Sequence, residues 1–282
     1  MPAVSVIIPT HNRRELLSRA VTSVLEQQFT DLELVVVDDE STDGTGACLL
    51  SLAEEDTRLR PLLLETHLGT PGAVRNRGVE VARAPLIAFL DSDDRWCPEK
   101  LELQVPFHRA AGVRVTHTRE VWIRDGRTVS QKGQKHRREG DIFADALKKC
   151  IIGPSTVLLD RALFEEHGGF DESLEVAEDY ELWLRITARE RVAYLNRELT
   201  EKHAGHGDQL SERYGQIEGF RIAALRSVLT RGLLAPERAT EARRELARKL
   251  RIFSLGARKR GRKDEAAALE REAERWENEE EE

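Results

Sequence analysis

Three carboxylates, Asp91, Asp93 and Asp94, crowd the stretch LDSDDRW directly after the apolar run Leu86-Ile87-Ala88-Phe89. At an effective dielectric of about 20, two carboxylates roughly 5 Å apart repel by about 3 kcal/mol, and a third close by raises the cost. Four things can offset it: a raised pKa on one member, solvation in an open loop, a neighbouring arginine such as Arg95, or a divalent cation with oxygen ligands. Two more acidic pairs stand where chemistry is feasible. Asp38-Asp39 closes the run ELVVVDD, and Glu178-Asp179 opens AEDYELWLR. In the latter, Leu182, Leu184 and Ile186 with Trp183 make an apolar helix side and leave the acids at the helix entrance. A helix N-terminus favours acids in any protein, so dipole complementarity is the plain alternative to catalysis there. Farther on, KHAGHGDQLS carries two imidazoles, His203 and His206, each competent to ligate a metal or meet a phosphate.

Strand ends and helix starts must hold these groups in place. Val4 to Ile8 is a β-branched run stopped by Pro9, and Leu16, Leu17, Ala20, Val21, Val24 and Leu25 then mark a helix within Arg14 to Gln28. Leu34 to Val37 is a second strand, followed by a helix through Ala53 that Asp43 or Thr45 could cap. Leu62 to Leu64 gives a third strand, GTPGAVRNRGVEVA a Gly-rich loop entering a helix, and Leu86 to Leu90 a fourth strand. Apolar strands without polar alternation, separated by helices, predict an α/β architecture: a parallel sheet covered on both faces. Ligands of such sheets sit beyond the carboxyl ends of the strands. Thr10, Asn12, Asp38, Asp39, Asp91, Asp93 and Asp94 all occupy such ends, which predicts one shared site.

From Pro98 to Ser211 the pattern is mixed, with a helix from Glu99 to about Ala110, strands near Val113 to Thr118 and Thr156 to Leu159, and a basic excursion at Lys132 to Arg138. Beyond Ser211 three helices follow. Ile217, Phe220, Ala224 and Val228 mark the first, Ala239, Ala242, Leu246, Leu250 and Phe253 the second, Ala266, Leu269, Ala273 and Trp276 the third. Their apolar stripes need a partner face, so docking or homo-oligomer formation is expected of them. The cluster Arg258-Lys259-Arg260-Gly261-Arg262-Lys263 reads as a solvated interhelical loop, with peripheral contact to anionic lipid as the alternative.

With 282 residues, 40% hydrophobic and 34% charged, the chain can bury a real core. A net charge of -7 offers no general attraction to nucleic acid. Cys48, Cys97 and Cys150 lack paired metal spacing, which predicts reduced thiols in a cytoplasmic setting. The opening MPAVSVIIPTHN has neither the flank nor the cleavage site of a signal peptide, and no apolar run approaches the roughly 20 residues that span a bilayer. GTPGAVRNRG lacks the Gly-Lys-Ser/Thr ending of a P-loop, and the first strand has no G-x-G-x-x-G. Nucleoside triphosphatase and dinucleotide readings therefore fail on their own motifs.

VSVIIPTHNR, ELVVVDDESTDGT, GAVRNRGVEVA, FLDSDDRW and AEDYELWLR stand in an order and spacing that resembles the glycosyltransferase family 2 enzymes of GT-A fold. The resemblance covers about residues 3 to 211 and not the C-terminal helices. It implies a Rossmann-like, mostly parallel sheet flanked by helices over residues 1–211, with a nucleotide-sugar half (1–100) and an acceptor half (101–211). Residues 212–282 form a helical extension. It further implies that Pro9, Thr10 and Asn12 line the nucleotide pocket, that Asp39 accepts a hydrogen bond from the base, and that Arg75 faces the nucleotide or its phosphates, with Asn76 and Gly78 shaping that helix entrance. Asp93 and Asp94 would hold Mn²⁺ or Mg²⁺ bridging the diphosphate, with Asp91 and Asp93 also on the nucleotide-sugar side and Asp91 supporting the turn. His206, or His203, would complete the metal shell or contact phosphate. Asp179 would be the catalytic base, oriented by Glu178, in an inverting transfer of a hexosyl group.

The implied function is transfer from a nucleoside diphosphate sugar, with a lean to UDP, to a hydroxyl acceptor on a glycan or glycolipid. The implied setting is bacterial cell-surface polysaccharide or glycoconjugate synthesis, in the cytoplasm or at the inner face of the membrane. Two competing readings are a sugar nucleotidyltransferase, whose N-terminal Gly-rich loop VSVIIPTHNR does not contain, and a non-catalytic sugar-nucleotide binding module, which would not need Asp179.

Overall fold

The computed structural model describes residues 1–124, 126–129, 136, 138–204 and 217–278. Strands β1 (Val4–Thr10), β2 (Leu32–Asp38), β3 (Leu59–Leu63) and β4 (Leu86–Phe89) make the parallel half of a mixed nine-stranded sheet, in the order β3-β2-β1-β4. After β3 the chain returns to the far side of β1, so a topological switch point lies between the carboxyl ends of β1 and β4. Both faces of these strands are covered. Val4, Val6 and Ile8 of β1 and Leu86 and Ala88 of β4 pack with α1 (Arg14–Leu25), α2 (Thr45–Glu55) and α4 (Lys100–Ala111). Ile7, Ile87 and Phe89 pack with α3 (Pro71–Val81), α6 (Arg161–Glu166) and α7 (Glu178–Thr187) on the other side. Burial on two sides removes the polar alternation that a half-exposed strand would show.

Local sequence fixes how the helices begin. Thr70 caps α3 by accepting from the Ala73 N–H, with Pro71 at the first helical position. At α2 the helix starts at Thr45 itself, and Asp43, not Thr45, accepts the early amide, from Thr45 N at 3.0 Å. Helix α3 lies hard against the sheet: a Cβ on Gly78 would fall 2.5 Å from Ile7 Cγ2 and 3.0 Å from Val37 Cγ2.

The second half of the sheet continues β8-β6-β9-β5, with β7 (Arg127–Val129) on the edge of β6. Here β8 (Val157–Asp160) runs antiparallel to both β4 and β6 (Val115–Arg124), and β5 (Arg95–Trp96) antiparallel to β9 (Ala193–Ala204). Strand β6 extends beyond the expected Thr118 because parallel pairing with β9 carries it to Arg124 opposite Ala204. The reading from Lys132 to Arg138 falls mostly outside the described residues, as does the tail EEEE.

Helices α8 (Ile217–Thr230), α9 (Pro236–Lys259) and α10 (Lys263–Asn278) close the chain. Their stripes do not wait for an external partner. Leu225, Leu246, Leu250 and Trp276 form one buried cluster with Phe143 and Leu147 of α5 (Phe143–Lys148) and Tyr180 and Leu184 of α7. The face expected from a docking partner or second copy is thus supplied by α5 and α7. The Arg258–Lys263 turn is exposed, with Arg262 3.3 Å from Glu265 and Arg258 3.9 Å from Glu270. Among the described residues no helix is long and apolar enough to cross a membrane.

Candidate active site

The acidic turn follows β4 at the switch point, and Ser155 at the entrance to β8 organises it. The Asp91 N–H donates to Ser155 Oγ at 3.1 Å, and that hydroxyl donates to Asp94 Oδ2 at 2.6 Å. Buried Trp96 donates through Nε1 to the Ser155 carbonyl at 2.8 Å, which fixes the turn from below. Repulsion among the acids is offset by cations from other elements. Arg75 lies 2.7 Å from Asp91, Arg13 3.2 Å from Asp93, and Lys202 of β9 3.8 and 3.7 Å from Asp91 and Asp94. Arg95, the arginine adjacent in sequence, is exposed instead, because strand alternation in β5 turns Trp96 inward and Arg95 outward.

The same surroundings set the protonation preferences. Burial pushes Asp94 well above the ordinary carboxylate range; Lys202 opposes the rise, and Asp91 and Asp93 add to it. At Asp91 burial works toward the neutral acid, but Arg75 and Lys202 outweigh it and hold the pKa low. Burial also opposes the charge on Lys202, yet Asp94, Asp91 and Glu120 raise its pKa above the usual lysine range. Oxygens of Asp91, Asp93 and Asp94 lie within 4.8 Å of one another. These are hard ligands at a spacing that suits Mg²⁺ or Mn²⁺, ions that keep waters and share substrate phosphates.

The loops after β1 and β2 are tied to each other and to α3. Asn12 accepts from the Thr42 N–H at 2.8 Å, while its own N–H donates to Ser41 Oγ at 2.7 Å. Ser41 in turn donates to Asp38. Buried Asp39 accepts from the N–H groups of Leu68 (2.7 Å) and Gly69 (3.1 Å), and its Oδ2 lies 2.9 Å from His67 Nδ1. His67 stands against His11, ring centroids 4.2 Å apart. Pro9 and Thr10 end β1 beside Val37 and Asp38. Among the described residues, buried Thr10 Oγ1 and Arg75 Nε lack a hydrogen-bond partner, polar atoms at the switch point that a ligand can satisfy. Asn76 bonds the Phe170 main chain rather than opening a pocket, at 3.0 Å in both directions.

Arg75 joins this side to α7. Its Nη2 meets Asp91 Oδ1 at 2.7 Å and its Nη1 meets Glu178 Oε1 at 2.5 Å. The close approach needs Gly72, where a Cβ would fall 3.0 Å from Glu178 Cγ. Burial pushes Glu178 up to about 7, with Arg75 opposing and Asp179 adding to the rise. Asp179 is partly exposed; its Oδ2 lies 3.5 Å from Cys150 Sγ. Burial, then Asp179, pushes the Cys150 thiol well above its usual range. Among the described residues, the non-glycine residues with left-handed backbone are Asn12 (φ 50), Glu40 (φ 58) and Ala177 (φ 67). All three border the site, where backbone strain tends to collect.

His203 lies on β9, 3.6 Å from Glu201, and burial lowers its pKa, Arg19 adding to the fall and Glu201 and Asp93 opposing it. His206 lies outside the described residues. Arg13, Ser155, Cys150 and Lys202 were not assigned roles from sequence. Arg13 and Lys202 stood inside quoted motifs, whereas nothing in the sequence marks Ser155.

Residues 5–168 match the family described as Glycosyl transferase family 2. The chain is 36% identical over 195 residues to a Bacillus subtilis protein named "Putative teichuronic acid biosynthesis glycosyltransferase TuaG", covering 68% of this chain and 75% of that one. It is 34% identical over 193 residues to the Escherichia coli UDP-Glc:alpha-D-GlcNAc-diphosphoundecaprenol beta-1,3-glucosyltransferase WfgD, covering 68% of this chain and 73% of that one. It spans 33% of each of two longer uncharacterized Rickettsia glycosyltransferases. In three dimensions it resembles S. aureus TarS 1-349 in complex with UDP-GlcNAc, at TM-score 0.73 and 21% identity over 98% of this chain and 92% of that one, which establishes the GT-A fold. A family match over more than half of the chain, and 36% identity across three quarters of a named relative, place this chain in glycosyl transferase family 2.

Proposed function

We propose that this glycosyltransferase moves a sugar from a UDP-linked donor to a hydroxyl of a lipid-linked or polymeric cell-surface glycan, with inversion at the anomeric carbon and a divalent cation at the acidic turn. The observation that carries the reading is the Asp91–Arg75–Glu178 bridge. It joins the acidic turn after β4 to the first turn of α7, which supports reading the acids of the two segments as one site. Support for the substrate class comes from the named activity of the E. coli relative, a UDP-Glc-dependent transfer to a diphosphoundecaprenol-linked sugar.

In this reading the loops that carry Thr10, Asn12 and Asp39 receive the nucleoside, with Asp39 held in place by the Leu68 and Gly69 amides. Asp93 and Asp94 would hold Mg²⁺ or Mn²⁺, with His203 or His206 as the candidate imidazole ligand, and the ion would supply Lewis-acid stabilisation of the departing diphosphate. Glu178 is committed to Arg75, which leaves partly exposed Asp179 to take the acceptor hydroxyl's proton as the oxygen attacks the anomeric carbon. With a lipid-linked acceptor, the exposed turn Arg258–Lys263 is the part suited to an anionic membrane face.

The test is incubation of the purified chain with UDP-, GDP- and dTDP-sugars, Mn²⁺ and a polyprenol-diphosphate-linked sugar. Acceptor-dependent release of UDP is expected. Release of pyrophosphate would mark a nucleotidyltransferase instead, and no release with any donor would leave a binding module.

A further inference from the structure

Lys202 has no part in the reaction just described, yet it reaches into the centre of the acidic turn. Its Nζ stands 3.8 Å from Asp91 Oδ2 and 3.7 Å from Asp94 Oδ2, near both carboxylates but beyond hydrogen-bond length of either. On its other side the Trp122 ring centroid is 5.5 Å from Nζ, and Trp122 Nε1 donates to Glu120 at 2.7 Å. The space is tight: a Cβ on Gly153 would fall 2.9 Å from Glu120 Oε2 and 3.7 Å from Lys202 Nζ. The long pairing of β6 with β9, which sets Trp122 opposite Lys202, delivers the ammonium to this place.

An ammonium beside Asp91 and Asp94 neutralises part of the acidic charge that a divalent ion on Asp93 and Asp94 would neutralise. We propose that Lys202 is the resident counter-cation of the acidic turn and, through its pairing with Asp94, competes with the divalent ion that Asp93 and Asp94 would hold. The nucleotide-free protein then binds the ion weakly. A sugar nucleotide changes the balance, because its diphosphate supplies ligands to the ion and a second anion to Lys202. The ion and the donor are therefore taken up together. The inference rests on the reading of the acidic turn as the divalent-cation site, and its test separates the two.

Binding of Mn²⁺ to the full chain without nucleotide, followed by loss of the free-ion electron paramagnetic resonance signal, is compared for wild type, Lys202→Met, Lys202→Gln, Lys202→Arg and Asp93→Asn, each checked for folding by thermal melting. Removing the charge in Lys202→Met or Lys202→Gln is expected to tighten Mn²⁺ binding at least about tenfold, or about 1.4 kcal/mol. Lys202→Arg keeps the wild-type weakness, and adding UDP narrows the gap. If neither folded neutral variant binds Mn²⁺ more tightly while Asp93→Asn binds it less, the cation site stands and the role of Lys202 fails. If Asp93→Asn also leaves binding unchanged, the cation-site reading fails with it.

Discussion

Arg75 Nη1 lies 2.5 Å from Glu178 Oε1, although the two residues stand 103 positions apart in the chain. Both side chains are buried, so neither charge has water to fall back on. Removing one partner of a buried ion pair typically costs about 3 to 5 kcal/mol, because the other is left uncompensated. Arg75→Met should lower unfolding stability by about that amount in urea titration, and Arg75→Met with Glu178→Gln should recover part of it. A loss below about 1 kcal/mol in the single variant would show that the bridge contributes little.

Glu178 also predicts a pH dependence. Burial, with Asp179 adding, places it at about 7 in the folded protein against an ordinary 4.5. The folded state holds this proton more tightly than the unfolded state, so the contribution to stability is greatest below 4.5 and is lost as pH rises through about 7. Relative to Glu178→Gln, wild type should lose on the order of 3 kcal/mol across that window. Parallel stability curves for the two proteins would refute the shift.

Gly78 lets α3 lie on β1 and β2. Gly78→Ala would set a methyl 2.5 Å from Ile7 Cγ2, and overpacking of that kind costs about 1 to 3 kcal/mol. Ile7→Ala, which removes the Cγ2 that the methyl meets, should cost less when combined with Gly78→Ala than the sum of the two single changes. A Gly78→Ala protein as stable as wild type in calorimetry would contradict so close an approach.

Helices α8 to α10 should matter to the α7 face they cover. Leu246 is fully buried in the cluster that holds Tyr180 and Leu184, so Leu246→Ala should cost about 2 to 5 kcal/mol. Truncation after residue 216 should lower both the melting temperature and turnover, because it uncovers the helix that begins at Glu178 and Asp179. Wild-type melting and turnover in the truncated chain would return these helices to a purely external role.

The parallel half of the sheet was legible because its strands are buried on both faces: Leu34 to Val37 and Leu86 to Phe89 are uninterrupted apolar runs, and Val4 to Ile8 is broken only by Ser5. The acids at their carboxyl ends stood out for the same reason, as polar residues at fixed offsets from those runs. Strand β9 was not legible. Its sequence AYLNRELTEKHA reads as polar chain, and only its pairing with β6 makes it a strand. What β9 delivers was hidden with it, since a lysine in a charged run carries no sign that it will stand beside Asp91 and Asp94. Ser155 and Gly72 escaped notice because their roles exist only across long-range contacts. The stripes of α8 to α10 were read correctly as apolar faces, but spacing cannot say whether the partner is another chain or α5 and α7.

The central claim is that Asp179 removes the acceptor's proton, and turnover of Asp179→Asn tests it most directly. A positioned general base is worth roughly 10² to 10⁴ in rate, and the asparagine keeps the shape while removing the basicity. With a donor and acceptor that wild type uses, Asp179→Asn should turn over at least about a hundredfold more slowly while its affinity for the nucleoside diphosphate stays within about twofold. Glu178→Gln is the matched control for the neighbouring acid. Near-normal turnover in Asp179→Asn, with the loss appearing in Glu178→Gln instead, would contradict the assignment.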